Sequence, residues 1–103
     1  MKCILTILAT LLFLSSDSAL AEWIAIAKME KFGVTIYVDP NTIRRVGDRV
    51  MMWQLWDFKT SQTVADYNLL STKTYDEFDC LRERSRRLAF IDYSDNMGRG
   101  LPI

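Results

Sequence analysis

Four arginines crowd into the middle of segment 75–93, and they are the side chains best suited to bind a ligand. They are Arg82, Arg84, Arg86 and Arg87. Each guanidinium group presents a planar fork of donors that matches a carboxylate or sulfate group. If a strand runs through this stretch, the first three side chains lie on one face and the fourth on the other. Such a stripe could bind a sulfated glycan, an acidic protein segment or anionic lipid head groups.

The same arginines have a second interpretation, as part of a solvated hairpin turn. Acidic residues surround them and could pair with them across the hairpin. These are Asp76, Glu77, Asp79 and Glu83. Exposed ion pairs are usually worth less than about 1 kcal/mol and say little about function. The residues favour the solvated turn, and the ligand-binding interpretation stays open beside it.

The residue types predict neither catalysis nor metal binding. The chain has no histidine, so the usual general base and the usual metal ligand are both missing. The arginines could favour a thiolate at Cys80, but no base follows it. Asp76, Glu77 and Asp79 match no calcium-loop spacing, and the first two would point to opposite faces of a strand. We therefore expect no enzymatic activity, no metal and no cofactor.

The N-terminal residues 1–21 have the three parts of a secretory signal peptide. A cationic start is followed by the apolar run 4–14 and by an A-x-A cleavage site at 19–21. A membrane anchor is the competing interpretation, but a helix over that run reaches only about 16 Å, roughly half of a bilayer core. The sequence predicts cleavage before Glu22, which removes Cys3 and yields a periplasmic, cell-surface or secreted protein.

The mature chain that this cleavage predicts has no net charge. The sequence has thirteen basic and thirteen acidic residues, and the signal takes one of each, Lys2 and Asp17, which leaves twelve of each. Nothing therefore draws the whole molecule onto nucleic acid or a membrane. Residues 22–103 form one small domain of a size that often needs a disulfide, metal or partner. Cys80 alone cannot form a disulfide within it, so we expect a structural or cross-linking cysteine, either a free thiol or half of a disulfide.

Apolar residues of the mature chain recur mostly at a spacing of two, which is typical of β-strands. We predict a mainly β fold, a single antiparallel β-meander sheet of about five to six strands. Gly47-Asp48 suits a two-residue hairpin turn, and residues 39–42 have the composition of a turn. The predicted strands are 23–28, 34–39, 43–46, 49–58, 65–80 (as one strand or as two broken near 75–76) and 88–91 closed by 92–93, with a polar loop at 59–63.

Strand 49–58 is largely apolar on both faces, which predicts a central strand covered on both sides. Met51 and Trp53 lie on one face and Trp56 on the other. Leaving them exposed would cost roughly 25 cal/mol for each Å² of apolar surface. Because nothing after Gly100 is long enough to form a helix, we expect dimerisation through an apolar face or a missing C-terminal segment. These three residues are interface candidates, with one of the two tryptophans expected in the core.

Several short motifs occur in a characteristic order over nearly all of residues 22–100. They are the YVDP turn at 37–40 followed by Ile43-Arg44-Arg45, WxLxD at 53–57, Tyr67, Ser71, EFDC at 77–80, and Tyr93-Ser94 with Met97-Gly98-x-Gly100. Together with the signal peptide, they resemble the surface-adhesin protein E-like domain, a secreted bacterial family.

The resemblance implies an α+β fold, an antiparallel sheet with a C-terminal helix on its concave face, tied by a disulfide from the EFDC-type cysteine. It also implies an outer-surface adhesin that binds host vitronectin, laminin and plasminogen. The sequence departs from the family pattern in three ways: it lacks a lipobox cysteine, the C-terminal helix and the second cysteine. We expect a shortened member of the family that is built from strands.

These features predict an exported, non-enzymatic binding module that attaches like an adhesin to extracellular host or matrix protein or to an acidic glycan. Vitronectin and laminin are the candidate protein partners, and residues 82–87 are the candidate contact. The alternative is a structural cell-envelope protein that self-associates through an apolar sheet face or a disulfide between two copies of Cys80. Salt distinguishes the two, because charge-driven binding weakens as ionic strength rises and apolar self-association does not.

Overall fold

A computed structural model describes residues 22–103, and these residues form one antiparallel sheet. Its six strands are β1 (Ile24–Met29), β2 (Val34–Val38), β3 (Arg44–Val46), β4 (Arg49–Val64), β5 (Tyr67–Asp79) and β6 (Arg84–Tyr93). The strand order is β1-β2-β4-β5-β6, and β3 also pairs with β4. Short 3-10 turns lie at Glu30–Phe32, Pro40–Thr42 and Asn96–Gly98. The predicted mainly β fold is confirmed, whereas the predicted signal peptide lies outside the described residues.

Two strand boundaries differ from the prediction. β4 continues to Val64, so the polar segment 59–63 is strand and not loop. β6 begins at Arg84, ahead of the apolar run at 88–91. The prediction failed here because backbone pairing with the neighbouring strand, which side-chain alternation does not report, sets these limits. β5, by contrast, runs unbroken through residues 75–76, which is the first of the two predicted alternatives.

The turn between β2 and β3 is built around Asp39, in agreement with its predicted turn composition. Asp39 Oδ1 accepts the backbone N–H of Asn41 at 3.0 Å, and the Asp39 carbonyl accepts the Thr42 hydroxyl at 2.8 Å. The Thr42 hydroxyl oxygen in turn accepts the backbone N–H of Trp53 at 3.0 Å. This turn keeps the chain beside β4, so β2 and β3 pair with different parts of the same strand. Gly47, with φ of +60°, then permits the tight turn from β3 into β4.

One face of the sheet carries the hydrophobic core. Val38, Val50 and Met52 are at most 1% exposed. Partly buried side chains pack against them, namely Ile24, Ile26, Ile43, Phe78 and Cys80. We call this side the core face, and strand alternation places Trp53 and Leu55 on the other side, the opposite face. Because Met52 and Leu55 are both fully buried, β4 is a central strand that buries side chains on both faces, as predicted.

Residues 94–103 fold back across the opposite face. Asp57 Oδ1 accepts the backbone N–H of Met97 at 2.7 Å and the side-chain amide of Asn96 at 3.1 Å. Ser71 Oγ accepts the backbone N–H of Gly98 at 2.9 Å. We call this set of contacts the C-terminal latch. It ties the end of the chain to β4 and β5 without an α-helix, and no α-helix occurs anywhere within residues 22–103.

The three interface candidates on β4 are all half-buried. Met51 and Trp53 lie on the opposite face and Trp56 on the core face, in the arrangement that the alternation predicted. Trp53 packs on Tyr75 with 5.2 Å between ring centroids and 39° between ring planes. The Nε1 atom of Trp56 is buried and has no hydrogen-bond partner among the described residues. Both tryptophans are therefore partly packed into the fold, and an interface role for the three residues stays a prediction.

Candidate ligand-binding surface

The segment that carries the four predicted arginines is a tight turn followed by an edge strand. β5 ends at Asp79 and β6 starts at Arg84, with residues 80–83 between them as the turn. Arg82 therefore does not continue a strand with Arg84 and Arg86. Its backbone N–H donates to Asp79 Oδ1 at 3.2 Å, and its Nη1 donates to Asp79 Oδ2 at 3.1 Å. These contacts, the backbone hydrogen bond first, lower the pKa of Asp79.

The other three arginines alternate between the two faces of β6, as their spacing predicts. Arg86 lies in register with Glu77 on the opposite face, with 2.9 Å between Nε and Oε1. Arg87 lies in register with Asp76 on the core face, with 3.7 Å between Nε and Oδ1. Arg84 shares the face of Arg86 and forms no ion pair with a carboxylate within residues 22–103. The structure thus contains ion pairs of the kind that the solvated-turn interpretation predicts, and it leaves Arg84 outside them.

Strand pairing brings two further arginines to the same end of the opposite face. One row across the sheet consists of Arg44, Met51, Glu77 and Arg86, and the next consists of Val46, Arg49, Asp79 and Arg84. In these two rows four guanidinium groups meet two carboxylates, which leaves an excess of two positive charges. We call this cluster the arginine end, with Arg44, Arg49, Arg84 and Arg86 as its cations.

The arginine end contains an open groove of 390 Å³. Its lining consists of Arg49, Glu77, Asp79, Arg84, Ser85 and Arg86. Glu77 lies between two of the cations, 2.9 Å from Arg86 Nε and 4.0 Å from Arg49 Nη1. The side chains of Arg49 and Arg86 nevertheless remain 50% and 67% exposed. Because a guanidinium group has five N–H donors, both retain donors for an anionic ligand.

Arg44 and Arg49 are binding candidates that the sequence prediction missed. Both belong to the hairpin that was predicted across Gly47-Asp48, so their strands were known. The missing information was the register between β4 and β5, which puts Arg49 opposite Asp79. The signal that could have found Arg49 is its position as the charged start of a strand that is otherwise largely apolar.

Cys80 follows β5 at the start of the turn and packs against the core. Of the two expected states, a free thiol or a disulfide, the structure has the disulfide. No second cysteine occurs within residues 22–103. The predicted loss of Cys3 with the signal peptide stays a prediction, because that residue lies outside the described part of the chain.

The described carboxylates do not assemble into a metal site. Between residues 22 and 103, no group of three or more histidine, cysteine, aspartate or glutamate side chains could hold a metal ion. Asp76, Glu77 and Asp79 instead contact arginines. In the same part of the chain, no helix is long and apolar enough to cross a membrane. The exposed guanidinium groups of the arginine end offer hydrogen bonding and charge pairing to an anion.

Comparison with known proteins identifies the family of this chain. The family described as Surface-adhesin protein E matches residues 23–103. The chain belongs to this family. The resemblance that the YVDP, WxLxD and EFDC motifs carried is thereby confirmed. No significant match was found among curated protein sequences.

Solved structures of Haemophilus influenzae protein E share the fold of this family member. The crystal structure of protein E from non-typeable Haemophilus influenzae has a TM-score of 0.60 and 16% sequence identity to this chain. The match covers 85% of this chain and 61% of that chain. A second protein E structure has a TM-score of 0.59 and 15% identity, with 85% and 68% covered. This chain thus spans about three fifths of the first structure's length. At these identities the likeness shows the fold.

Proposed function

We propose that this protein is an exported, non-enzymatic adhesive module that attaches to an extracellular host or matrix component. The observation that carries the proposal is the arginine end, where four guanidinium groups meet two carboxylates on one face of the sheet. Because the predicted mature chain has no net charge, attraction to an anionic partner comes from this local excess of positive charge. Membership of the surface-adhesin protein E family supports the adhesive role.

Within the predicted contact, Arg84 and Arg86 carry more of the binding than Arg82 and Arg87. Arg82 is already joined to Asp79 by two hydrogen bonds. Arg87 faces the other side of the sheet. Arg84 and Arg86 point to the same side as Arg44 and Arg49, so a single ligand can reach all four. Vitronectin and laminin, which the family resemblance implied, are the candidate protein partners.

Export is the second part of the proposal. The apolar run 4–14 and the A-x-A site at 19–21 support cleavage between Ala21 and Glu22. The test is the intact mass of the protein recovered from the periplasm or medium of a bacterial expression host. A mass that corresponds to a chain starting at Glu22 supports export and cleavage, and retention of the full chain in the cytoplasm contradicts both.

The adhesive role is tested by binding of the exported protein to immobilised vitronectin, laminin and heparin at low and moderate salt. The double variant Arg84→Glu, Arg86→Glu reverses two charges of the arginine end. We expect it to bind at least tenfold more weakly, because a charge-assisted hydrogen bond is worth about 1.5–3 kcal/mol and tenfold corresponds to about 1.4 kcal/mol. Wild-type binding is also expected to weaken as salt rises above about 0.1 M, where the Debye length is about 10 Å.

The matched control is the double variant Lys31→Glu, Lys59→Glu. Both lysines are exposed, and the exchange changes the net charge by the same amount elsewhere on the protein. Circular dichroism first establishes that both variants are folded. An equal loss of binding in the control would assign the attraction to net charge, and full binding by the arginine variant would remove the arginine end from the proposal.

A further inference from the structure

A second depression lies on the opposite face, beside the arginine end. It has a volume of 240 Å³, and its lining includes Trp23, Trp53, Lys73 and Tyr93. The ammonium group of Lys73 lies 5.1 Å from the ring centroid of Tyr93 and 5.8 Å from that of Trp23. Ring faces attract a cation at such distances. We call this depression the aromatic pocket: it has aromatic walls and a positive charge held between two of them.

Lys73 forms no ion pair with any carboxylate within residues 22–103. Asp39, the carboxylate in the pocket lining, accepts the backbone N–H of Asn41 instead. The C-terminal latch packs against the lysine stem, since a Cβ atom added to Gly98 would lie only 2.6 Å from Lys73 Cε. The lysine is half-buried and balanced by aromatic rings, so it can gain a direct charge partner from an anionic ligand.

The aromatic pocket and the arginine end are aligned along the strands. On β4, Trp53, Met51 and Arg49 occupy alternate positions of the opposite face. Alternate residues of a strand are about 6.7 Å apart, so Trp53 and Arg49 are separated by about 13 Å. Tyr75 of β5 packs beside Trp53 and widens the aromatic surface. A track of side chains therefore leads from Lys73 across the aromatic rings and then past Met51 and the Glu77 carboxylate to the arginines.

We infer that this track binds a sulfated polysaccharide, an inference that rests on the proposed adhesive function and names the chemical class of its partner. The Trp53–Tyr75 pair offers apolar ring surface to the face of a sugar. Lys73 and the arginine end then hold sulfate or carboxylate groups at two places along the same chain. Arginine receives such a group with a fork of two donors, and lysine receives it as a point charge.

An acidic peptide fits the middle of this track less well, because the part from Lys73 to Arg49 lies on the faces of β4 and β5, and only Arg84 and Arg86 lie on the edge strand β6. β4 and β5 each have neighbours on both sides. Their backbone N–H and C=O groups are used in the sheet, so they are not available to a docking peptide strand. Recognition on this face uses side chains alone. That favours a polymer whose repeating unit combines a ring with an anionic group.

The test titrates heparin-derived oligosaccharides into the exported protein, with tryptophan fluorescence and calorimetry as readouts. We expect affinity to fall at least tenfold when the same oligosaccharide is chemically desulfated. A hexasaccharide is expected to bind about tenfold more tightly than a disaccharide, because only the longer chain reaches both ends of the track. Lys73→Met removes the ammonium group but keeps an unbranched side chain, and we expect it to weaken binding at least fivefold. Lys28→Met, an exposed lysine on β1, is the control and leaves binding unchanged.

Three results would overturn the inference and leave the adhesive function in place. The first is arginine-dependent binding to vitronectin or laminin with no binding to the sulfated oligosaccharide. The second is displacement of the bound oligosaccharide by polyglutamate as effectively as by the free oligosaccharide at equal charge, which would identify an acidic peptide as the occupant. The third is a Lys73→Met variant that is folded and binds like wild type. Binding that is indifferent to Arg84→Glu, Arg86→Glu would instead remove the arginine end from the proposed function and from the track.

Discussion

Replacement of Asp57 by alanine is expected to release the C-terminal latch. One carboxylate oxygen of Asp57 accepts two hydrogen bonds, from the Met97 backbone N–H at 2.7 Å and from the Asn96 side-chain amide at 3.1 Å. A hydrogen bond to an ionised group is worth about 1.5–3 kcal/mol. Because both bonds share one oxygen on a half-buried side chain, we expect Asp57→Ala to lower the free energy of unfolding by about 2–4 kcal/mol.

Release of the latch is expected to be local. Leu55 is fully buried, and Gly98 of the latch packs beside it: a Cβ atom added to Gly98 would lie 3.7 Å from Leu55 Cδ1. Opening of the latch therefore exposes this leucine. A domain of this size has a total stability of roughly 4–12 kcal/mol. For any stability above about 5 kcal/mol, the loss expected from Asp57→Ala leaves the sheet folded in most molecules, while residues 94–103 open more often than in the wild type.

Amide hydrogen exchange measures this opening. Urea unfolding followed by tryptophan fluorescence measures the decrease in the free energy of global unfolding. The amides of Met97 and Gly98 donate to Asp57 and Ser71 and are expected to lose protection in Asp57→Ala. Asp57→Asn keeps a neutral hydrogen-bond acceptor, so its free energy of unfolding is expected to fall by about half as much as that of Asp57→Ala. Asp66→Ala, an exposed carboxylate in the β4–β5 turn, is the control and is expected to stay within about 0.5 kcal/mol of wild type. Unchanged exchange at both amides in Asp57→Ala would refute the latch.

Two predictions concern pH and use carboxylates outside the latch. The pKa of Asp79 is lowered from 3.8, so its contribution to stability is present above that value and lost as pH falls through the folded pKa. In Asp79→Asn, the free energy of unfolding is therefore expected to fall less steeply at acidic pH than in the wild type. Urea unfolding at a series of pH values measures this difference. The hydrogen bond from the Tyr67 hydroxyl to Asp92, at 2.8 Å, raises the pKa of Tyr67 above 10.0. The contribution of Tyr67 to the free energy of unfolding is present below pH 10.0 and is lost as pH rises through the folded pKa. Tyr67→Phe is therefore expected to remove this loss of stability at alkaline pH. A loss of equal size in the variant would contradict the assignment.

Local chemistry explains why the sheet and most of its turns could be predicted. Alternation of apolar residues identified the strands, and the Asp39 side chain and Gly47 identified two of the turns. The segment 59–63 could not be predicted in the same way, because its polar residues give no alternation. It is a strand because backbone hydrogen bonds to β5 continue past the irregularity between Asp57 and Gln62.

The candidate site was predicted only in part, for a related reason. The sequence placed Arg84 and Arg86 on one face and Arg87 on the other, since adjacent residues of a strand alternate. It placed Arg82 in the stripe only if the strand continued through the turn region. The chain instead turns between β5 and β6, and the Asp79 carboxylate holds the Arg82 side chain in the turn. No local pattern reports where such a turn closes when several charged residues could occupy it.

By itself, the sequence determined what depends on neighbouring residues: the antiparallel strands, the tight turns, the family motifs and the absence of histidine chemistry. The tertiary structure decided which distant residues meet. Register across β3, β4, β5 and β6 gathered Arg44, Arg49, Arg84 and Arg86 at one end of the sheet. The return of the chain onto Asp57 set the latch behind Lys73. These contacts depend on the pairing of whole strands, and a shift of one residue in register would move each side chain to the other face.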